Sequence, residues 1–200
     1  VKAAAKDNPV AKKGESYYWW KPRYGSKRYS KTQPRPSQLT TSDFLSRQME
    51  LEERIGDLKA DTFEDLKSEV ESICEEIRML GEEQSEKKDN LPEGLTDGPT
   101  GELLEGRANS CEEWADELEG VDLDVDEPTE NDVTEDIGAQ PTMADIEDTG
   151  AGEDMDALLE AAVADWEQQK DEKLKELQAE YRDKLQEAIN ELQGISYQGE

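Results

Sequence analysis

The stretch Phe63-Glu64-Asp65-Leu66-Lys67-Ser68-Glu69-Val70-Glu71-Ser72-Ile73-Cys74-Glu75-Glu76-Ile77-Arg78-Met79-Leu80 decides the fold class. Its apolar residues Phe63, Leu66, Val70, Ile73, Ile77 and Leu80 follow steps of 3, 4, 3, 4 and 3. Such alternation keeps one stripe of a helix facing a partner helix, and the intervening Glu, Asp, Lys and Arg face water. The stretch therefore predicts a helix with an obligate neighbour. Asp61-Thr62-Phe63-Glu64, an Asp followed three residues later by Glu, reads as its start.

A neighbour stands next in the chain. Pro92, Gly94, Gly98 and Pro99 break the first helix. Thr100 can cap a second, in which Leu104, Ala108, Cys111, Ala115 and Leu118 step by 4, 3, 4 and 3, with Trp114 beside them. Small residues on this stripe can receive the larger side chains of the first. Residues 62–88 and 101–119 are thus expected to form an antiparallel helical hairpin. Upstream, Thr41, Ser42 and Asp43 offer N-caps, and Phe44, Leu45, Leu51, Ile55 and Leu58 recur at helical spacing, so the helical region covers 41–119.

The N-terminal side differs in kind. Residues 1–36 hold ten Lys or Arg against Asp7 and Glu15, a net of +8; the other 164 residues carry 13 basic and 50 acidic residues, a net of −37, which sums to −29. Residues 1–14 read as a flexible basic arm. Residues 15–36 read as a β-hairpin: aromatics favour strands, and Pro22 to Ser26 supplies a turn. Alternation would place Tyr17 and Trp19 on one face and Tyr18 and Trp20 on the other, with Lys27, Tyr29 and Lys31 sharing one face of the return strand. An isolated hairpin is marginal in water, so one face is expected to pack on a helix and leave the other open. Cations beside rings suit phosphates and stacked bases. The candidate nucleic-acid-binding set is Tyr17, Tyr18, Trp19, Trp20, Lys21, Arg23, Lys27, Arg28 and Lys31. The same charge segregation also permits the head to dock on the chain's own acidic body.

C-terminal to the hairpin, no Lys or Arg occurs between Ala108 and Gln169, a span with 22 acidic residues. Residues 120–154 lack apolar periodicity and read as a disordered acidic linker. Asp122, Asp124 and Asp126 imitate half a calcium loop, but Glu127 replaces the required glycine and Val133 the terminal Glu, which argues against an EF-hand. Residues 155–193 read as one long amphipathic helix ended by Gly194. Its stripe runs through Leu159, Val163, Trp166, Leu174, Leu177, Tyr181, Leu185, Ala188 and Leu192. Trp166, Leu174, Leu177, Tyr181 and Leu185 are its candidate partner-binding residues, for self-association into a homo-oligomer or for packing on the hairpin.

The fold expected is mainly α: helical hairpin and coiled-coil segments with a small N-terminal β-hairpin and a disordered acidic linker. Leu, Ile, Val and Phe make up 34 of 200 residues, too few for one large core, so several separate helical packings are expected. No apolar run approaches a membrane span and no segment reads as a secretory signal. Without His, and with only the separated Cys74 and Cys111, a Cys/His zinc site is excluded. Both cysteines fall on apolar stripes and read as small buried hydrophobes in a reducing cytosol. No carboxylate pair or nucleophile stands out from the charge background, so no enzymatic activity, metal or cofactor is expected.

Gly14-Glu15-Ser16-Tyr17-Tyr18-Trp19-Trp20-Lys21, Ser30-Lys31-Thr32, Arg35-Pro36-Ser37-Gln38-Leu39, Asn90-Leu91-Pro92-Glu93-Gly94-Leu95 and Cys111-Glu112-Glu113-Trp114-Ala115 resemble a family of small tailed-bacteriophage proteins without assigned activity. The resemblance covers about residues 12–120 and implies a phage protein acting in the host cytoplasm. The basic-aromatic hairpin is also similar to the arm-site DNA-binding hairpin of phage integrases, although no integrase catalytic domain follows. Two functions are compatible with these features. One is a non-enzymatic, nucleic-acid-associated phage protein. The other is an acidic helical protein-interaction factor: a host-protein inhibitor, nucleic-acid mimic, scaffold or adaptor directed at a basic host protein.

Overall fold

The computed structural model describes residues 2–3, 5–7, 9–22, 25–145 and 155–199. It is mainly helical, with a small antiparallel sheet at the N-terminal end. The elements run β1 (Lys2–Ala3), β2 (Ser16–Trp20), β3 (Arg28–Ser30), a 3-10 turn (Pro36–Leu39), α1 (Asp43–Gly56), α2 (Phe63–Asp89), α3 (Pro99–Glu119), α4 (Glu130–Ile137), a second 3-10 turn (Met143–Asp145) and α5 (Met155–Gly194). The chain divides into two compact units, to both of which α2 and α5 contribute. No helix among the described residues is long and apolar enough to cross a membrane.

The first unit holds residues 1–59, 67–121 and 191–200. In it α2 and α3 form the expected antiparallel pair. Cys74 Sγ approaches Ala115 O at 3.7 Å, Arg78 reaches Glu112 at 3.5 Å, and Lys88 pairs with Glu105 at 2.9 Å. As one number rises the other falls, which is the register of antiparallel helices. Val70, Ile73, Cys74, Ile77 and Leu80 of α2 are buried, as are Cys111, Trp114, Ala115 and Leu118 of α3. The start of α3 is set by Gly98 with Pro99 in the first turn rather than by Thr100, because proline's missing N–H costs nothing there. α1 begins at Ser42, whose hydroxyl accepts from Leu45 N–H, and buries Phe44, Gln48, Leu51 and Ile55. Beyond α5, Tyr197 lies edge-on to both Phe44 and Trp114, with ring centroids 5.8 and 5.9 Å away. Gln193 donates to Leu58 O at 3.1 Å, so the C-terminal segment is bonded to the segment that follows α1.

Several of the cations of this acidic body stand at the seams between helices. Arg54 of α1 reaches Glu69 and Glu76 of α2 at 2.7 and 2.6 Å. Arg47 of α1 pairs with Glu83 of α2. Arg78 of α2 gathers Glu112, Asp116 and Glu119 of α3. Its hydrogen bond to Glu119 raises the guanidinium pKa and lowers that of the carboxyl. Each exposed pair contributes about 0–1 kcal/mol. Their collective effect is to relieve repulsion where acidic helices meet.

The second unit holds residues 60–66 and 122–190. Here residues 122–145 of the expected acidic linker include one short helix. Residues 130–137 form α4, capped by Thr129, whose N–H and hydroxyl both donate to Asp132, at 2.6 and 2.7 Å. Val133 is fully buried. Lys170 and Lys173 of α5 reach Glu130 and Asp136 at 2.7 and 3.4 Å, and Trp166 Nε1 donates to Gly138 O at 3.1 Å. An eight-residue helix has too little local drive to form alone; these contacts to α5 hold it. The remainder of the expected linker, 146–154, lies outside the described residues.

Of the candidate partner-binding stripe, Tyr181 and Leu185 are buried and so not free for a partner. Tyr181 packs edge-on against Phe63, and its Oη accepts the Phe63 N–H at 3.0 Å. That N–H is one of the first-turn donors a helix cannot satisfy internally, and Thr62 Oγ1 accepts another, from Asp65, so Thr62 rather than Asp61 caps α2. Trp166, Leu174 and Leu177 are half-buried. Tyr181→Phe keeps the ring but removes the acceptor. It should cost about 1 kcal/mol in urea unfolding; no change would mean that water replaces the phenol.

Candidate functional site

The expected hairpin is one strand larger than its sequence suggests. β2 pairs antiparallel with β3, placing Trp19 opposite Tyr29 and Trp20 opposite Arg28. On its other edge β2 pairs with β1, and Lys2 lies opposite Tyr17. The stretch 1–14 is therefore not simply a flexible arm. Its return toward β2 is organised by Lys13 N–H donating to Asp7, by a Glu15-to-Lys12 turn, and by Gly14 at φ 91°, a value that suits glycine. A two-residue strand has no sequence signature, which is why Lys2 was not in the candidate set.

Strand alternation then sorts the candidates onto two faces. Tyr18, Trp20 and Arg28 share one face, which is anchored internally. Trp20 Nε1 donates to Gln38 O at 2.9 Å, and Arg28 reaches the same carbonyl at 3.5 Å. The 3-10 turn that carries Gln38 is held to α1 by Ser46, which donates to Ser37 O at 3.0 Å, and by Arg35 paired with Glu53 at 3.2 Å. This face is the anchored one: Trp20 and Arg28 bond inward on it, Arg28 staying exposed, and Tyr18 shares it by alternation.

The other face carries Lys2, Tyr17, Trp19, Lys27, Tyr29 and Lys31. The Tyr17 and Tyr29 rings lie 5.9 Å apart. Trp19 is 41% exposed, with Lys2 Nζ 5.2 Å and Lys27 Nζ 5.4 Å from its ring centroid. Lys31 is partly occupied, at 3.5 Å from Glu15. The Lys12 N–H bond to Glu15, and then the Lys31 charge, hold that carboxyl below its usual range. Among the described residues no carboxylate pairs with Lys2, Lys21 or Lys27. Lys21 is exposed just beyond β2, and Arg23 lies outside the described residues.

Elsewhere the chemistry is muted. Among the described residues no group of three His, Cys, Asp or Glu is placed to hold a metal ion. Cys74 and Cys111 are buried free thiols, and burial pushes both up to about 11, far from reactive thiolates. Comparison with protein-family models, with curated proteins and with solved structures finds no match.

Proposed function

We propose that this chain is a non-enzymatic bacteriophage binding protein that associates with nucleic acid through the sheet face bearing Trp19. The observation that carries the proposal is a half-exposed indole flanked by two ammonium groups that no carboxylate neutralises among the described residues. The opposite face is bound to the 3-10 turn, which supports the sheet and leaves these rings facing outward. The acidic body would limit nonspecific association, because its charge repels phosphates that are not held by the head. The phage setting and the host cytoplasm rest on the sequence resemblance.

Three phosphate contacts, by Lys2, Lys21 and Lys27, imply that affinity falls about 20- to 40-fold between 50 and 200 mM salt. Titration of the full chain against labelled oligonucleotides over that range checks the slope. Binding that ignores salt would count against a phosphate-contacting head.

A second reading is favoured by the distribution of the seam cations. Arg54, Arg78, Lys170 and Lys173 neutralise carboxylates between helices. The 50 acidic residues beyond the head far outnumber the cations there, so the helices still present a polyanion. Such a surface suits a basic host protein, with the chain acting as an inhibitor, mimic, scaffold or adaptor. Recovery of one basic protein from host lysate, unaffected by nuclease, would favour this reading over the first.

A further inference from the structure

We infer that the ligand of the sheet face is single-stranded nucleic acid, read by base stacking with little regard to sequence; this rests on the nucleic-acid reading above. The first argument is the chemistry the face contains and lacks. Base edges in a duplex groove are read by Arg or Lys on guanine, by Asn or Gln on adenine and by acidic side chains on cytosine. The face presents Lys2, Tyr17, Trp19, Lys27, Tyr29 and Lys31, with no Arg, Asn or Gln among them. Arg28, the described guanidinium nearest to it in sequence, is turned to the opposite side and to Gln38 O. What remains is rings, which every unpaired base can stack on, and lysines, which meet phosphate as point charges.

The second argument is energetic. In the free protein the two ammonium groups sit over the Trp19 ring. An exposed cation–π contact is worth about 2- to 5-fold in an equilibrium constant. Stacking of a base on an aromatic side chain is worth about 5- to 150-fold. A base therefore displaces the ammonium from the indole, and the ammonium, tethered within reach, takes the phosphate beside that base. A duplex offers no unstacked base for this exchange and would keep only the phosphate contacts. Tyr29, directly across from Trp19, and Tyr17, two residues along β2, lie on the same face with their rings 5.9 Å apart and provide a second platform.

The test uses the full chain at 50 mM salt and three probes of equal length: oligo-dT, oligo-U and a mixed-sequence duplex. The inference expects both single strands to bind at least about 10-fold tighter than the duplex and to quench tryptophan fluorescence. Trp19→Ala should lower single-strand affinity by about 10-fold or more and leave duplex affinity nearly unchanged. Trp19→Phe should restore most of the loss, which a merely structural role for the indole would not produce selectively. Duplex binding as tight as single-strand binding, or equal loss on both probes in Trp19→Ala, overturns the stacking inference and leaves the nucleic-acid reading intact. Absence of binding to all three probes overturns the nucleic-acid reading itself.

Discussion

Trp114→Ala is expected to lower the free energy of unfolding by about 3–5 kcal/mol, the usual cost of emptying a buried aromatic site. Trp114 is 2% exposed, on the α3 stripe with Cys111, Ala115 and Leu118. Its ring also supports Tyr197, which in turn meets Phe44 of α1. One truncation therefore leaves a void in the helical packing and removes the surface on which the C-terminal segment rests. Urea unfolding followed by circular dichroism would measure the loss, and limited carboxypeptidase digestion would report release of residues 195–199. Trp114→Phe should be far milder. Trp114 Nε1 is buried without a hydrogen-bond partner among the described residues, and a buried unsatisfied N–H costs about 1–3 kcal/mol. Removing it offsets much of the smaller volume change. Equal losses in the two variants would show that ring volume and the orphan donor do not have these opposing effects.

Gly81→Leu should destabilise the hairpin by about 2–3 kcal/mol, at the upper end of typical overpacking costs. Gly81 is buried in α2 against Ala108 and Cys111 of α3. A β-carbon placed there would lie 3.0 Å from Cys111 Cβ and 3.3 Å from Ala108 O. The carbonyl belongs to a helix backbone and cannot rotate aside, so α2 and α3 must separate to admit a larger side chain. Helix propensity alone would favour the change by about 1 kcal/mol, and the steric term opposes and exceeds it. Gly106 of α3 supplies the contrast, because a β-carbon there meets nothing within 4 Å. Gly106→Ala should be neutral or stabilise by up to about 1 kcal/mol. Stabilisation by both substitutions would mean that the two helices do not approach at Gly81.

The helical part of the fold was legible because its signal is local and repeated. The 3-and-4 steps from Phe63 to Leu80 and from Leu104 to Leu118 each specify a buried stripe, and two stripes separated by Pro and Gly leave little choice but a hairpin. α4 was not legible. Its apolar content is Val133 and Ile137, and its order comes from Trp166, Lys170 and Lys173, distant in the chain. The same holds for β1, whose two residues are defined by pairing with Ser16 and Tyr17.

For the candidate site, composition located the segment and alternation divided its rings. Which face would be anchored depended on a carbonyl at Gln38 that accepts from both Trp20 and Arg28. The nine candidate residues thus divide between Trp20 and Arg28, bonded to the 3-10 turn, and the face of Trp19, beside which Lys2 also lies. Tyr181 and Leu185 were open to self-association or to packing on the hairpin for a related reason: an amphipathic stripe shows that a face must be covered, but not by what, and Tyr181 packs on Phe63.

By itself, the amino-acid sequence determined that this protein is mainly helical, that two of its helices pair, and that its positive charge and rings are gathered at one end. Those properties follow from residue spacing and composition, which act over a few turns of chain. Only the tertiary structure decided which rings face solvent, which cations are consumed between helices, and which acidic residues fold into α4. Each of those outcomes is a competition among partners far apart in sequence, settled by geometry that no local pattern encodes.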